Sequence, residues 1–447
     1  MRVLRGAGNA CLERIASREL TLGRRWLSHF CVIEHEVRAQ HTRHWPRGTE
    51  VGFENDLKLA VKQYVPYNER TTTLGDVTFI AAHANGFPKE LYEPMFDDLY
   101  EELKALGRSI RAIWIADLAH QGQSYVLNEK ALGNDPNWWD GARDLLFLMN
   151  QKQDEMPQPL IGIGHSMGGS QLVQLSLLHP RLLQGLILID PVIQTENPSR
   201  SFAKPSTYRR DIWTSRDEAR AKFENSKFYR AWDSRVFEKW MQYGLRDLPT
   251  EMYPDRGGSK ETPVTLTTPK SQEVFSYLRP KYYGTSGIAP EKDWDVYGDM
   301  HPDDIEEDYP FYRPESAQIF RRLPELKPPV LYIFGKNSEL ATPELRRKKM
   351  ETTGTGVGGS GGSAEGKVKE VVLNCGHLVP MERTTECAAA VASFATSELA
   401  RWEEHTRQGQ AQWLTKPRSD RVGIDDEWRR MIGQRDLRNL GDTAVKN

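Results

Sequence analysis

The sequence predicts an α/β protein: a mostly parallel sheet with flanking helices, interrupted by a helical insertion. Three observations carry this. Short apolar runs alternate with segments at helical spacing from residue 30 to residue 191. Runs such as FIAA (79–82) and LILI (186–189) are continuous, as suits strands covered on both faces. The alternation stops after residue 191 and resumes at PPVLYIFG (328–335), so one sheet is split by a long insertion.

Each element follows in order. FCVIEHEV (30–37), LKLAVKQYVP (57–66) and VTFIAAHANG (77–86) read as strands. KELYEPMFDDLYEELKALG (89–107) has helical spacing and closes on glycine. IRAIWIADLAHQGQS (110–124) reads as strand then loop, and WDGARDLLFLMNQ (139–151) as a helix. PLIGIGHSMGG (159–169) is a strand running into a tight turn, SQLVQLSLLHP (170–180) a helix stopped by Pro180, and LQGLILIDP (183–191) a strand again. Residues 192–325 are rich in Trp, Tyr, Arg and Pro. Within them Ser215-Arg-Asp-Glu218 fits a capping box, and VFEKWMQYGL (236–245) carries an apolar stripe. PELRRKKMETTG is helical, and TGTGVGGSGGSAEG (353–366) reads as a flexible connector. VKEVVLNCGH (368–377) is the last strand, and TTECAAAVASFATSELARW (384–402) the last core helix. The expected organisation is an N-terminal extension (1–29), core (30–191), cap insertion (192–325), core (326–404) and a charged, partly ordered C-terminal tail (405–447).

Bulk composition narrows the function. With 60 Lys+Arg against 62 Asp+Glu, no nucleic-acid or acidic-membrane partner is indicated. No apolar run is long enough to span a bilayer. The spacing of Cys11, Cys31, Cys375 and Cys387 fits neither a zinc ligand set nor a disulfide framework, which suggests a reducing compartment. The Arg-rich start lacks a continuous apolar segment and is no secretory signal; Glu13 and Glu19 count against a mitochondrial presequence. GTGVGG lacks a preceding strand and a G-K-[ST] ending, so it is no nucleotide loop, and no metal or redox cofactor is implied.

Gly164-His165-Ser166-Met167-Gly168 is G-x-S-x-G between a strand and a helix. Such a turn lifts the serine hydroxyl above the sheet edge, and Gly164, Gly168 and Gly169 leave room for it. Ser166 is the expected nucleophile. A hydroxyl needs a base, and His377, after the last strand, stands where this chain order puts one. HANGF (83–87) follows a strand as an oxyanion loop does. The amides of Met167 and Asn85 are the expected oxyanion donors, with Ala84 the alternative to Asn85. His165 and His83 read as structural, and His120 has no matching role. An acid must orient the imidazole. After PPVLYIFG the common G-x-x-D slot holds Ser338, with Glu339 one place late. Asp190, closing LILI one helix and one strand beyond Ser166, is the expected acid, and Glu339 its chief rival.

These motifs resemble those of the α/β-hydrolase superfamily. HANGFPKELYEP, IRAIWIADLA, GIGHSMGG, LILIDP, TPVTLTTPK, FYRPES and GTGVGGSGG narrow the likeness to one fungal group. It includes the peroxisomal acyl-CoA hydrolase of mycophenolic acid biosynthesis and hydrolases of AK/AF-type toxin pathways. The likeness runs from about residue 30 to 430. In the mycophenolic acid enzyme the triad acid lies at the position matching Asp190. The resemblance implies an α/β-hydrolase fold and an acyl-CoA of a polyketide-derived acid as substrate. It also implies a peroxisomal location. However, the C-terminal Val445-Lys446-Asn447 is not similar to SKL, and Arg2-Val3…Asn9-Ala10 matches the other peroxisomal pattern at all but one residue. Cytoplasm is the alternative. The residues alone say only an ester-like carbonyl, which leaves a lipid esterase on neutral esters, or a non-catalytic binding protein, as rival readings. For Trp213, Phe223, Phe228, Trp232, Phe237 and Trp240, an acyl-pocket wall and a core of the insertion are equal expectations. The same holds for Arg209, Arg210, Arg216 and Arg220 as contacts to CoA phosphates or as a solvated face.

Overall fold

Eight strands make one sheet, and their continuous apolar faces explain why. The computed structural model describes residues 29–67, 73, 75–196, 198–255, 261–280, 301 and 309–434. The expected N-terminal extension, His29 apart, lies outside the described residues. The strands are β1 (Phe30–Arg38), β2 (Lys58–Pro66), β3 (Val77–Ala82), β4 (Ile110–Ala116), β5 (Leu160–His165) and β6 (Gly185–Ile189). Short strands follow: β7 (Ile212–Trp213), β8 (Leu245–Asp247), β9 (Val264–Leu266), β10 (Arg279–Pro280) and β11 (Phe311–Tyr312). β12 (Val330–Gly335) and β13 (Val368–Leu373) complete the main sheet. Its order is β1-β2-β4-β3-β5-β6-β12-β13. β1, β2 and β4 pair antiparallel; every pair from β4 to β13 is parallel. β3, β5, β6 and β12 are buried along their whole length, whereas β1 at the edge alternates. The chain order reverses between β3 and β5, and such a switch point opens a crevice at the strands' C-terminal ends.

The expected mostly parallel sheet, with helices between its strands and a long segment inserted between β6 and β12, is observed. Two local expectations fail. The loop expected after IRAIWIAD contains a helix, Gly122–Asn128, fixed by long-range bonds: Ser124 Oγ accepts from the Ala60 amide at 2.8 Å, and Asn128 Oδ1 from Lys58 at 2.9 Å. Residues 353–366 are not a flexible connector. Gly354, Gly356 and Ser360 donate to Leu323, Pro324 and Leu326 carbonyls at 2.8, 2.9 and 3.0 Å. The glycines are needed because this loop lies against the Pro324 backbone, which a β-carbon at Gly356 would meet at 3.0 Å. Cys375 and Cys387 are free and buried, while Cys31 is disulfide-bonded, which the cysteine spacing did not anticipate.

The segment between β6 and β12 holds two small sheets, β7-β9-β8 and β10-β11, among short helices. Ser215 caps Arg216–Glu224 by accepting from the Glu218 amide at 3.2 Å, as the capping box requires. The chain forms two compact units, Met1–Glu398 and Leu399–Asn447. The helix that begins at Thr384 runs on to Leu414, and in the second unit Arg418–Val422 and Asp426–Gln434 are also helical. No helix among the described residues is long and apolar enough to cross a membrane.

Candidate active site

The turn between β5 and the helix Met167–Leu178 holds Ser166 at φ 57° and ψ −120°, a conformation that disfavours any side chain. Crowding explains the flanking glycines. A β-carbon on Gly164 would meet the Gly168 carbonyl at 2.7 Å, and one on Gly168 would strike the Ala82 backbone of β3. The strain is held by the Ser166 amide donating to Ile189 at 2.9 Å and its carbonyl accepting from Gly169 and Val192 at 3.1 and 3.2 Å.

Three side chains from three loops then meet. His377 Nε2 lies 2.9 Å from Ser166 Oγ, and its Nδ1 lies 2.6 Å from Asp190 Oδ2. Asp190, also at positive φ (40°), is fully buried at the end of β6. An unpaired carboxylate there would be costly. This one accepts from His377, from the Gly335 amide at 3.3 Å, and from the Ser338 hydroxyl. Ser338, in the slot where an aspartate was sought, reaches the same carboxylate. Glu339 is exposed, and the imidazole is turned to Asp190 instead. Lys349 is buried nearby, donating to the Leu340 carbonyl at 3.1 Å; burial lowers its pKa to about 8, with Asp190 acting against that shift.

Ala84 and Asn85 follow β3 beside the elbow. The Ala84 amide is occupied, donating to Tyr92 Oη at 2.9 Å. Among the described residues no acceptor takes the Asn85 or Met167 amide. The Asn85 side chain is used in bracing: it donates to Glu273 O at 3.0 Å and accepts from Gln121 Nε2 at 2.5 Å. His83 braces as expected, its ring bridging the Ala84 carbonyl (2.8 Å) and the Leu118 amide (3.0 Å). Buried His120 bonds Ser276 Oγ at 2.8 Å, and burial lowers its pKa to about 3.

A small cleft of about 30 Å³ leads to Ser166 and His377. Its aromatic walls are Phe87, Trp138, Phe202 and Tyr277. None of the six aromatics singled out in the sequence lines it. Trp213, Phe223, Trp232 and Trp240 instead pack on one another and on Tyr229, with ring centroids 4.6–6.1 Å apart. They are the insertion's own core, and Phe87 joins it to the cleft through Trp232 and Trp240. Trp240→Ala is therefore expected to cost about 3–5 kcal/mol of stability, read by denaturant unfolding. The four arginines are all paired internally: Arg209 with Glu273, Arg210 with Glu218, Arg216 with Asp247, and Arg220 with Glu238. Neutralising Arg210, Arg216 and Arg220 together should leave the KM ratio between an acyl-CoA and an uncharged thioester of the same acid unchanged. A selective rise for the CoA ester would show that these arginines do meet its phosphates.

Residues 79–392 match the model of the alpha/beta hydrolase family. The chain belongs to that family. This hydrolase is 39% identical over 427 residues to the type I acyl-CoA thioesterase mpaH' of Penicillium brevicompactum, covering 90% of this chain and 95% of that one. It is 39% identical over 401 residues to mpaH of Penicillium roqueforti, covering 85% and 90%. The abhydrolase domain-containing protein ACTT2-2 of Alternaria alternata is 24% identical over 278 residues, covering 61% of this chain and 97% of its own length. Among solved structures, the peroxisomal alpha-beta-hydrolase Lpx1 of Saccharomyces cerevisiae shares the fold, with a TM-score of 0.62, 18% identity, and 94% and 100% coverage.

Proposed function

We propose that this alpha/beta hydrolase is a serine-dependent acyl-CoA thioesterase. The observation that carries the proposal is the unbroken hydrogen-bonded chain Ser166–His377–Asp190, opening on an apolar cleft beside two unused amides. Ser166 Oγ attacks the thioester carbon while His377 Nε2 takes its proton. Charge develops on the carbonyl oxygen, against the Met167 and Asn85 amides. The tetrahedral adduct breaks its C–S bond, and the imidazolium returns the proton to the departing thiolate. Water, deprotonated by His377, then attacks the acyl-enzyme; the second tetrahedral adduct breaks its bond to Ser166 Oγ, the imidazolium returns the proton to that oxygen, and the acid leaves. Asp190 holds Nδ1–H throughout and balances the imidazolium charge.

Thioester rather than ester chemistry is favoured by the Penicillium relatives, which are named as acyl-CoA thioesterases. The fungal group that the sequence resembles favours a role in secondary-metabolite or toxin biosynthesis. A peroxisomal compartment belongs to this reading, with cytoplasm the alternative; a fluorescent fusion scored against a peroxisomal marker decides between them.

A panel of acyl-CoAs, followed by release of free thiol, tests the activity beside p-nitrophenyl esters of the same acids. Higher kcat/KM on the CoA esters is expected. A preference for the neutral esters would favour a lipid esterase. No fluorophosphonate adduct at Ser166 in folded protein would favour a binding protein.

A further inference from the structure

Behind the Ser–His–Asp chain lies a second hydrogen-bonded line that touches none of the reacting atoms. The Ala84 amide donates to Tyr92 Oη at 2.9 Å. Tyr92 Oη lies 2.8 Å from His165 Nδ1, and His165 Nε2 lies 3.0 Å from the His377 carbonyl oxygen. The direction of every bond is fixed by its ends. A carbonyl only accepts, so His165 carries its proton on Nε2. Its Nδ1 is then an acceptor, and Tyr92 must donate to it while receiving the Ala84 N–H. Tyr92 and His165 are 2% and 0% exposed. Burial holds the His165 imidazole well below its ordinary pKa, with the neighbouring His377 adding to the effect, so the ring is neutral as the line requires. Neither side chain lines the cleft.

The line joins the three loops that carry the candidate machinery: the Ala84–Asn85 loop, the elbow and the His377 loop. We propose that Tyr92 and His165 are positioning residues, a tie that sets where the Asn85 amide and the His377 ring stand relative to Ser166. The tie has two consequences. By occupying the Ala84 amide it turns the loop so that the next amide, Asn85, faces the cleft. By holding the His377 carbonyl it fixes the backbone from which the imidazole spans Ser166 and Asp190. Both act on the transition state more than on bound substrate. The inference rests on the serine-hydrolase reading above.

Tyr92→Phe removes one oxygen and keeps the ring, stranding the Ala84 N–H and His165 Nδ1. Because a misplacement of about 1 Å can cost about a hundredfold, kcat should fall by about 10–100-fold while KM moves less than about threefold. An acyl trifluoromethyl ketone thioether of CoA, captured by Ser166 as a hemiketal, stands for the tetrahedral adduct. Its affinity should fall in proportion to kcat/KM, while binding of a plain, non-electrophilic CoA thioether stays unchanged. His165→Gln, which keeps an N–H for the His377 carbonyl, should retain more activity than His165→Leu. Should Tyr92→Phe fail to fold, this pair carries the test. Unchanged kcat and ketone affinity in folded Tyr92→Phe would overturn the tie, as would equal losses in the two His165 variants. If the wild-type protein does not capture the ketone, the serine-hydrolase reading itself fails, and that outcome is separate from the variants' behaviour.

Discussion

Ser166→Ala is expected to remove about 10⁴–10⁶ of kcat while leaving the fold and thermal midpoint nearly unchanged. The two halves of this expectation have separate physical grounds. Among the described residues the side-chain oxygen has one partner, His377 Nε2, so its loss breaks one hydrogen bond. The backbone bonds that hold the turn, from Ser166 N to Ile189 and from Gly169 and Val192 to Ser166 O, involve no side-chain atom. Alanine keeps the β-carbon, so the strain at φ 57° is the same before and after. Rate loss without destabilisation therefore separates a nucleophile from a packing residue. A residual rate above the uncatalysed reaction is also expected, because the Met167 and Asn85 amides remain. Retention of more than a few per cent of activity would remove Ser166 from the mechanism, and single-turnover acyl transfer measures it directly.

The strands were legible because their burial is written as continuous apolar runs: LILI and FIAA are buried throughout. The elbow was legible because strand, Gly-x-Ser-x-Gly and helix are adjacent in sequence. What escaped was set by partners far along the chain. The helix Gly122–Asn128 forms where polar Ser124 and Asn128 reach β2, about 60–70 positions away, and no local periodicity encodes that. The 353–366 loop looked flexible because glycine serves linkers and close packing alike; only its bonds to Leu323, Pro324 and Leu326 distinguish the two. The insertion's aromatics drew notice as candidate walls, yet the cleft takes its aromatics from four separate places: Phe87, Trp138, Phe202 and Tyr277. Tyr92 gave no signal, lying in a helix entrance as one apolar position among several. Ser338 did give one. Its place in the G-x-x-D slot marked an absent aspartate, and the structure has it donating to the Asp190 carboxylate.

Asp190→Asn should lower kcat by about 10⁴, the order found when the equivalent change is made in a serine protease. The environment of Asp190 gives the reason in detail. Oδ2 accepts from both His377 Nδ1 and Ser338 Oγ, and Oδ1 accepts from the Gly335 amide at 3.3 Å. An asparagine can satisfy only one side. With its oxygen at the Oδ2 position the imidazole keeps the right tautomer, but the NH₂ faces the Gly335 N–H and no charge balances the imidazolium. With its oxygen at the Oδ1 position the NH₂ confronts His377 Nδ1, which forces the proton onto Nε2 and ends its service as a base toward Ser166. The Ser338 hydroxyl serves either orientation, donating to the oxygen or accepting from the NH₂, whereas the Gly335 N–H only donates and favours the second. Adding Ser338→Ala to Asp190→Asn should therefore change kcat little further. Exposed Glu339, changed to Gln, should leave kcat unchanged. A brace alone would behave differently: Asp190→Asn would then keep kcat within a few-fold, and Asp190→Ala would lose activity only in step with its thermal midpoint. A large loss in Glu339→Gln with a mild one in Asp190→Asn would move the acid to Glu339. Measuring kcat and thermal midpoint for all four variants decides among these outcomes, because only a catalytic Asp190 loses rate while keeping its midpoint.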